Sequence, residues 1–371
     1  MRLLIDASSA SGLGSGGTRV AELMAELPEC CGDHHITLAV PRGHGRPGRV
    51  VGAPIDVITP PRWASRPAAR IGWQLTALPA LTAARRCDAV LGMFNVVSPW
   101  WSPAAPRVAV MVSNLLPFHA DLGVSVPLRM TPRLAVLKRL TLAGVARADL
   151  VIVQSRFAAQ VLAPVLRDRP CMIVGHRPPD PSLAGRERLG PGGPYLLVVA
   201  DRFRYKGIHV VIDALARLAP AERPTLAVVG RPVDPAYERR LRRAIERDGL
   251  AGRVNWLGHR SRSDVMALMG DAVACVASSH LENLSRIPGE AMAMGAPLIC
   301  SDIPPHREAA GDAALYYPPS DAGVLAGHIA RLVTDHGERA VLIARGHRRV
   351  RSCHAPPATS SILSALEGLL S

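Results

Sequence analysis

The chain reads as an α/β protein built from two doubly wound, parallel-sheet domains. Three observations carry that expectation. The 371 residues suffice for two cores at roughly 100–200 residues per domain. Short, continuously apolar runs alternate with longer stretches of helical periodicity, the pattern of parallel strands covered by helices on both faces. A Pro/Arg/Gly-rich stretch from about His176 to Pro194 parts two such series.

The first series opens with Arg2–Ala7, apolar enough for a strand buried on both sides. It runs into Gly12-Leu-Gly-Ser-Gly-Gly17, after which Val20, Leu23, Met24 and Leu27 recur at helical spacing. Further strands are expected at Ile36–Val40, Ala89–Met93, Val108–Val112 and Leu150–Val153. The second series places strands at Tyr195–Val199, Thr225–Val229, Arg253–Leu257, Ala272–Val276, Pro297–Cys300 and Ala314–Tyr316. Amphipathic helices are expected at about Ile208–Leu218, Pro235–Asp248, Ser263–Met269 and Gly289–Met294, with a long one from about Ala322. A last helix, Thr359–Leu370, is set off by Cys353–Pro357. The expected domains are therefore 1–180 and 190–350, with a tail, 351–371, able to pack back on the first domain.

Composition narrows the class. The chain is 48% hydrophobic but only 4% aromatic, so its cores lean on Leu, Val and Ala, and neither disorder nor a collagen-like repeat fits despite 33 Pro and 32 Gly. The 44 basic and 30 acidic side chains give a net charge of +14 and a pI near 10.4, which favours anionic partners. Residues 1–180 hold 20 basic and 11 acidic side chains and the remainder 24 and 19, so the excess is steeper in the first half. No run of consecutive Lys/Arg resembles a nucleic-acid tail. Cys30, Cys31, Cys87, Cys171, Cys275, Cys300 and Cys353 show no C-x-x-C spacing, which suits a reducing cytoplasm. MRLLIDASS is too short for a signal h-region and no apolar run of spanning length occurs, so membrane contact would be peripheral.

Three segments carry chemistry. Glycines at the first strand-to-helix turn let backbone N–H groups approach an anion at the positive end of a helix, although the same residues also suit a plain tight turn. The loop Ala200-Asp-Arg-Phe-Arg-Tyr-Lys-Gly207 sets Arg202, Arg204 and Lys206 at the carboxyl end of a strand, where open α/β sheets bind ligands. Lys206 stands out because Lys138 is the chain's only other lysine, and an ammonium is a compact charge suited to a phosphate oxygen. In Ser278–Gly295, Glu282 lies in a loop after a strand. Glu290 is expected to begin the next helix, where a carboxylate also has a plain capping role.

These segments together resemble retaining glycosyltransferases of the family 4 type (glycosyl transferases group 1), with the GT-B fold of two facing Rossmann-like domains and an interdomain cleft. The matching features are Gly16-Gly17, RYKG at Arg204–Gly207, NWLG at Asn255–Gly258, and SSHLENLSRIPGEAMAMGAPLICSDIPPHREAAGDAALYYPP from Ser278 to Pro319. They occur in family order over nearly the whole chain, strongly in the second domain and loosely in the first.

The resemblance implies an N-terminal acceptor-side domain and a C-terminal nucleotide-sugar domain. It further implies that Arg204 and Lys206 neutralise a departing diphosphate, that Glu282 holds donor-sugar hydroxyls and that Glu290 accepts from the ribose. Arg202 is a substitute for the arginine role. Gly16 and Gly17 would meet the phosphate, and Asn283 and Leu284 are donor-binding candidates in a loop whose backbone N–H groups can meet phosphate or sugar oxygens. Where many relatives carry a His-Asp pair, this chain has Ser113-Asn114, leaving Asn114 and His119 as acceptor-side candidates.

The expected reaction is metal-independent and cofactor-free, moving a hexose from a nucleotide-diphosphate sugar to a glycan or lipid-linked acceptor in cell-surface assembly. A sugar-nucleotide epimerase on the same fold, or a non-enzymatic basic protein binding polyanions or membrane, are the alternatives. Arg62, Trp63, Arg66, Arg70 and Trp73, with Trp100-Trp101, form a candidate contact with an anionic membrane. Leu134–Val145 with Arg133, Lys138 and Arg139 reads as a buried helix with a solvated edge.

Overall fold

The computed structural model describes residues 1–9, 15–43, 48–50, 52–98, 106–176, 178–185, 189–352 and 358–371. Two compact units result. One comprises Met1–Phe118, Pro127–His176 and Ala355–Ser371, the other His119–Val126 and Arg177–His354.

The first unit is built on an eight-stranded sheet: β1 (Arg2–Asp6), β2 (His35–Ala39), β3 (Gly48–Arg49), β4 (Ile55–Ile58), β5 (Ala89–Gly92), β6 (Arg107–Val112), β7 (Leu150–Val153) and β8 (Cys171–Ile173). Their order is β3-β4-β2-β1-β5-β6-β7-β8, parallel except for β3 against β4. Its helices are α1 (Ser15–Cys30), α2 (Pro67–Ala84), α3 (Thr131–Arg147) and α4 (Arg156–Leu166). β5 and β7 are buried at every residue, as parallel strands covered on both faces must be. β3, β4 and β8 were not legible as strands. β3 has two residues, β8 is an exposed three-residue edge, and β4 interrupts its apolar pattern with Asp56.

The second unit carries a wholly parallel sheet: β9 (Tyr195–Val199), β10 (Thr225–Val229), β11 (Val254–Gly258), β12 (Ala274–Ala277), β13 (Leu298–Ser301) and β14 (Leu315–Tyr317), in the order β11-β10-β9-β12-β13-β14. Helices α5 (Ile208–Arg217), α6 (Pro235–Arg247), α7 (Arg262–Asp271), α8 (Arg286–Ala293), α9 (Pro304–Ala310), α10 (Ala322–Thr334) and α11 (His336–Arg351) connect and cover it. The long helix expected from Ala322 is two helices. Asp335 interrupts it and caps the second by accepting from the Glu338 N–H at 2.9 Å.

The final helix, α12 (Ala358–Gly368), belongs to the first unit and packs on α1. Ile362, Leu363 and Leu366 join Val20, Leu23 and Leu27 in the core beneath Leu3, Ile5, Leu91 and Met111, while Thr359 Oγ1 donates to Glu26. The last residues of the chain thus complete a core begun by the first. Leu366 is wholly buried. Leu366→Ala is expected to lower the stability of the first unit by about 2–5 kcal/mol through lost burial and a residual cavity. A fall in the urea midpoint at unchanged slope checks it.

Candidate functional site

In each sheet the chain winds outward from the first strand in one direction and then returns to wind in the other. The loops after the two strands where the direction reverses diverge and leave a crevice. In the second unit the reversal falls between β9 and β12, adjacent strands joined by Ala274↔Leu196 and Cys275↔Leu197. Their loops are the segments that contain Arg204, Lys206 and Glu282.

These loops are tightly tied. The turn Arg204–Lys206 ends on Gly207 at φ +68, and a Cβ there would lie 2.0 Å from the Ser278 carbonyl oxygen. Only glycine allows that approach. Ser278 Oγ donates to the Lys206 carbonyl at 2.7 Å and His280 N–H to the Tyr205 carbonyl at 2.7 Å. Across this junction Lys206 Nζ donates to Glu282 Oε1 at 2.6 Å, and Ser279 Oγ donates to the same oxygen at 2.6 Å.

Both partners of the ion pair are about four-fifths buried. Burial acts to raise the Glu282 pKa, but the Lys206 ammonium and the two hydrogen bonds outweigh it and hold the carboxyl below its ordinary value. Burial acts to lower the Lys206 pKa, and Glu282 overcomes that too, keeping the ammonium charged well above neutral pH. An ammonium has three donors, so its contact with Glu282 leaves capacity for phosphate oxygens.

Glu282 is held from behind as well. Ser301 Oγ donates to the Ser279 carbonyl at 2.5 Å, and Nδ1 of the fully buried His306 lies 2.9 Å from Ser301 O and 3.0 Å from Ser301 Oγ. Burial keeps His306 neutral. The sequence offered no signal for this support, because Ser279, Ser301 and His306 meet only through the adjacency of β12 and β13.

Arg204 is exposed and engages no ion pair among the described residues. Beside it the imidazoles of His209 and His280 stack in parallel, centroids 6.0 Å apart and planes 2° apart. His209 Nδ1 lies 3.0 Å from the Tyr237 hydroxyl, which also accepts from the His209 backbone N–H at 3.0 Å. Burial, with Arg240 and Arg204 adding positive potential, pushes the His209 pKa down to about 4. Burial and Arg204 lower that of His280. A cationic rim backed by neutral rings is a setting for an anion.

Three expectations need correction. Arg202 is 4% exposed and engaged elsewhere: its Nε donates to Glu238 at 2.5 Å, its Nη1 to the Gly230 carbonyl at 3.0 Å, and its guanidinium lies 4.7 Å from the Trp256 ring. It braces β10, β11 and α6 rather than joining Lys206. Glu290 does not begin its helix, because α8 starts four residues earlier. It is buried, with Arg286 at 3.4 Å and Arg262 at 3.7 Å, so its charge is met by two guanidiniums and not by a helix N-terminus. Trp73 is 7% exposed and packs inside the first unit, and Arg70 donates to the Ala64 and Ser65 carbonyls.

Asn283 is buried and Leu284 half-buried in the turn before α8. Gly16 and Gly17 lie in the first turn of α1, where backbone N–H groups lack helical partners. Gly12–Gly14 and Trp100-Trp101 lie outside the described residues. Asn114 is exposed and its Oδ1 accepts from the Leu116 N–H at 2.8 Å, while His119 Nδ1 lies 3.0 Å from the Val124 carbonyl. The residue that organises this segment is Asn95, 2% exposed and at φ +64. Its Oδ1 accepts from the Ser113 and Asn114 N–H groups at 3.0 Å each, and its Nδ2 donates to the Asn114 carbonyl at 2.7 Å.

The fold is the GT-B glycosyltransferase fold. Sucrose-phosphate synthase (tll1590) of Thermosynechococcus elongatus superimposes with a TM-score of 0.77 at 20% identity, covering 100% of this chain and 99% of that one. HepE (Alr3699) of Anabaena, crystallised with UDP-glucose, does so at 0.75 and 18% identity, covering 99% and 100%. Residues 184–349 match the family described as Glycosyl transferases group 1. Among curated relatives, glycogen synthase of Mycobacterium tuberculosis (strain H37Rv) is 32% identical over 165 residues, 42% of this chain and 37% of that protein. O-antigen chain mannosyltransferase B of Escherichia coli is 28% identical over 121 residues, 33% of this chain and 32% of that protein. The chain thus spans about a third of the length of these curated relatives.

Lys206→Met alone leaves the buried Glu282 carboxylate without its cation and is expected to lower stability by about 3–5 kcal/mol, with Glu282→Gln added to it restoring most of the loss. The Glu282 contribution is complete above its ordinary 4.5 and lost only as pH falls through its depressed pKa. That of Lys206 is complete below its ordinary 10.5 and lost only as pH rises through its raised one. Urea titrations of wild type, single and double variants across pH check both statements.

His209 adds an acid limb at higher pH than Glu282. Its neutral form contributes fully above 6.5, and the contribution falls as pH drops from there toward about 4. His209→Gln is expected to flatten stability over that window.

Proposed function

We propose that the chain is a retaining glycosyltransferase of the family 4 type. On this reading it moves a hexose from a nucleotide-diphosphate sugar to an acceptor hydroxyl without a metal. The observation that carries this is the Lys206–Glu282 pair spanning the β9/β12 crevice, beside Arg204, which makes no ion pair among the described residues. It sets diphosphate-binding cations against a carboxylate able to accept from sugar hydroxyls. Glu290, flanked by Arg262 and Arg286, is assigned to the ribose. The family match and the UDP-glucose complex of HepE support this donor class.

In the reaction the bond from the anomeric carbon to the diphosphate oxygen breaks. The acceptor oxygen bonds to that carbon on the same face, and the acceptor proton passes to the departing diphosphate. Charge accumulates on the leaving diphosphate, so preorganised cations there lower the barrier most. Arg204 and Lys206 supply them, and no divalent ion is required to do so. We assign acceptor recognition chiefly to the first unit, with Asn114 there as a candidate and His119, in the segment His119–Val126 that groups with the second unit, as another, and the acceptor to a glycan or lipid-linked sugar of cell-surface assembly, met in the cytoplasm at the membrane.

Arg204→Ala and Lys206→Ala are expected to depress turnover on the order of 10²-fold or more. Glu290→Gln should chiefly raise the donor KM, while Glu282→Gln should lower kcat, because the sugar contact tightens in the transition state. Nucleotide-sugar assays with and without chelator, and the anomeric configuration of the product by NMR, check the reading. Full turnover in both cation variants, dependence on a divalent ion, or an inverted product would contradict it.

A further inference from the structure

The charge excess of the first half is concentrated. From Val57 to Ala148 the chain has 11 basic side chains and two acidic ones, Asp88 and Asp121, whereas the rest of residues 1–180 has nine of each. The topology divides these cations between two edges of one sheet. α2 carries the chain from β4 to β5 and α3 from β6 to β7, both in the same direction across the sheet. Right-handed crossovers therefore place both helices on one face, opposite α1 and α12. Both helices start at the carboxyl edge and end at the amino edge.

At the amino edge three arginines meet carboxylates, Arg85 with Asp56 at 2.9 Å, Arg107 with Asp149 at 3.4 Å and Arg147 with Asp149 at 4.0 Å, while Arg86 is exposed and makes no ion pair among the described residues. Toward the carboxyl edge, Arg62 and Arg66 before α2, and Arg133 and Arg139 on α3, are exposed and make no ion pair among the described residues.

Large apolar side chains stand among them. Trp63 is 60% exposed in the turn Arg62–Ser65, Leu128 is 88% exposed in the turn Leu128–Met130, and Val136 is 53% exposed on α3. Arg133, Val136 and Arg139 recur every third residue and share one side of that helix. α3 buries Leu134, Thr141, Gly144 and Val145 and leaves Arg133, Val136 and Arg139 in solvent, the solvated edge that the sequence suggested. Unpaired guanidiniums around a protruding Trp, Leu and Val match a phosphate layer over hydrocarbon. A nucleic-acid backbone would give Leu128 and Val136 nothing to enter.

We propose that the turns Arg62–Ser65 and Leu128–Met130 and the outer side of α3 dock the first unit on an anionic lipid bilayer, with Trp63 and Leu128 at headgroup level. This rests for its purpose on the reading of a lipid-linked acceptor, but its test requires no turnover. Trp prefers that depth, and each basic residue near such a surface adds to the attraction.

Cosedimentation of the full chain with vesicles of phosphatidylcholine alone, and of phosphatidylcholine with phosphatidylglycerol, tests it at low and high salt. Binding to the mixed vesicles at low salt is expected. It should weaken on the order of 10²-fold or more when Arg62, Arg66, Arg133 and Arg139 are replaced by Ser, and clearly also in Trp63→Ser with Leu128→Ser. Vesicle-induced blue shift of tryptophan emission, lost in Trp63→Phe, provides a readout with the charges intact. Wild type left in the supernatant, vesicle binding unchanged in both variants, or loss in the arginine variant alone with equal binding to a DNA duplex would overturn the proposal. Donor turnover is untouched by any of these outcomes, so failure here is separable from failure of the glycosyltransferase assignment.

Discussion

The second unit depends on how closely two loops can approach where its sheet reverses direction. β9 and β12 are neighbours, yet the chain between Val199 and Ala274 travels through three helices and two strands before returning. The contact between their loops rests on Gly207, whose missing Cβ lets the Ser278 carbonyl come within 2.0 Å of where a side chain would begin. That approach sets the hydrogen bonds of Ser278 and His280, and they in turn set the distance at which Lys206 meets Glu282.

The ion pair in that crevice is a constraint on function as well as on folding. Two charges four-fifths removed from water are worthwhile only when each is met, and here Lys206 and Ser279 both donate to the carboxylate, while Ser301, itself against His306, holds the Ser279 carbonyl from behind. On the proposed reading, a site held this way presents its cation and its carboxylate already oriented, which is how electrostatic catalysis avoids reorganisation during reaction. Neutral His209 and His280 beside Arg204 extend the same logic, because burial prevents them from adding charges that would repel the guanidinium.

The first unit repeats the winding with different emphasis. Its reversal falls between β1 and β5, where Gly16 and Gly17 open α1 and Asn95 gathers the backbone of Ser113 and Asn114. Asn95 occupies a left-handed conformation that Asn tolerates better than most residues, and its amide satisfies three backbone groups that would otherwise be unpaired. The basic, apolar surface around α3 lies on the side of the sheet away from α1 and α12. Closure of one core by the last helix and exposure of the other helix layer are thus consequences of one topology.

The sequence alone determined what periodicity and local chemistry can encode. The parallel-sheet class, the eleven apolar strands and the loops bearing Arg204, Lys206, Glu282 and Glu290 were legible, because a strand buried on both faces must be continuously apolar and its loop must be polar. Short edge strands such as β3 and β8 were not, since they bury too little to leave a pattern. Neither was the fate of individual charges. Arg202 and Arg204 sit two residues apart in one loop with the same side chain, yet one is locked between Glu238, Gly230 and Trp256 while the other is exposed. Likewise Trp63 and Trp73 look alike in sequence, and one is exposed while the other is buried. Only the tertiary structure decides such cases, because the partners that engage a side chain arrive from strands and helices remote in sequence, through adjacencies that composition and spacing do not specify.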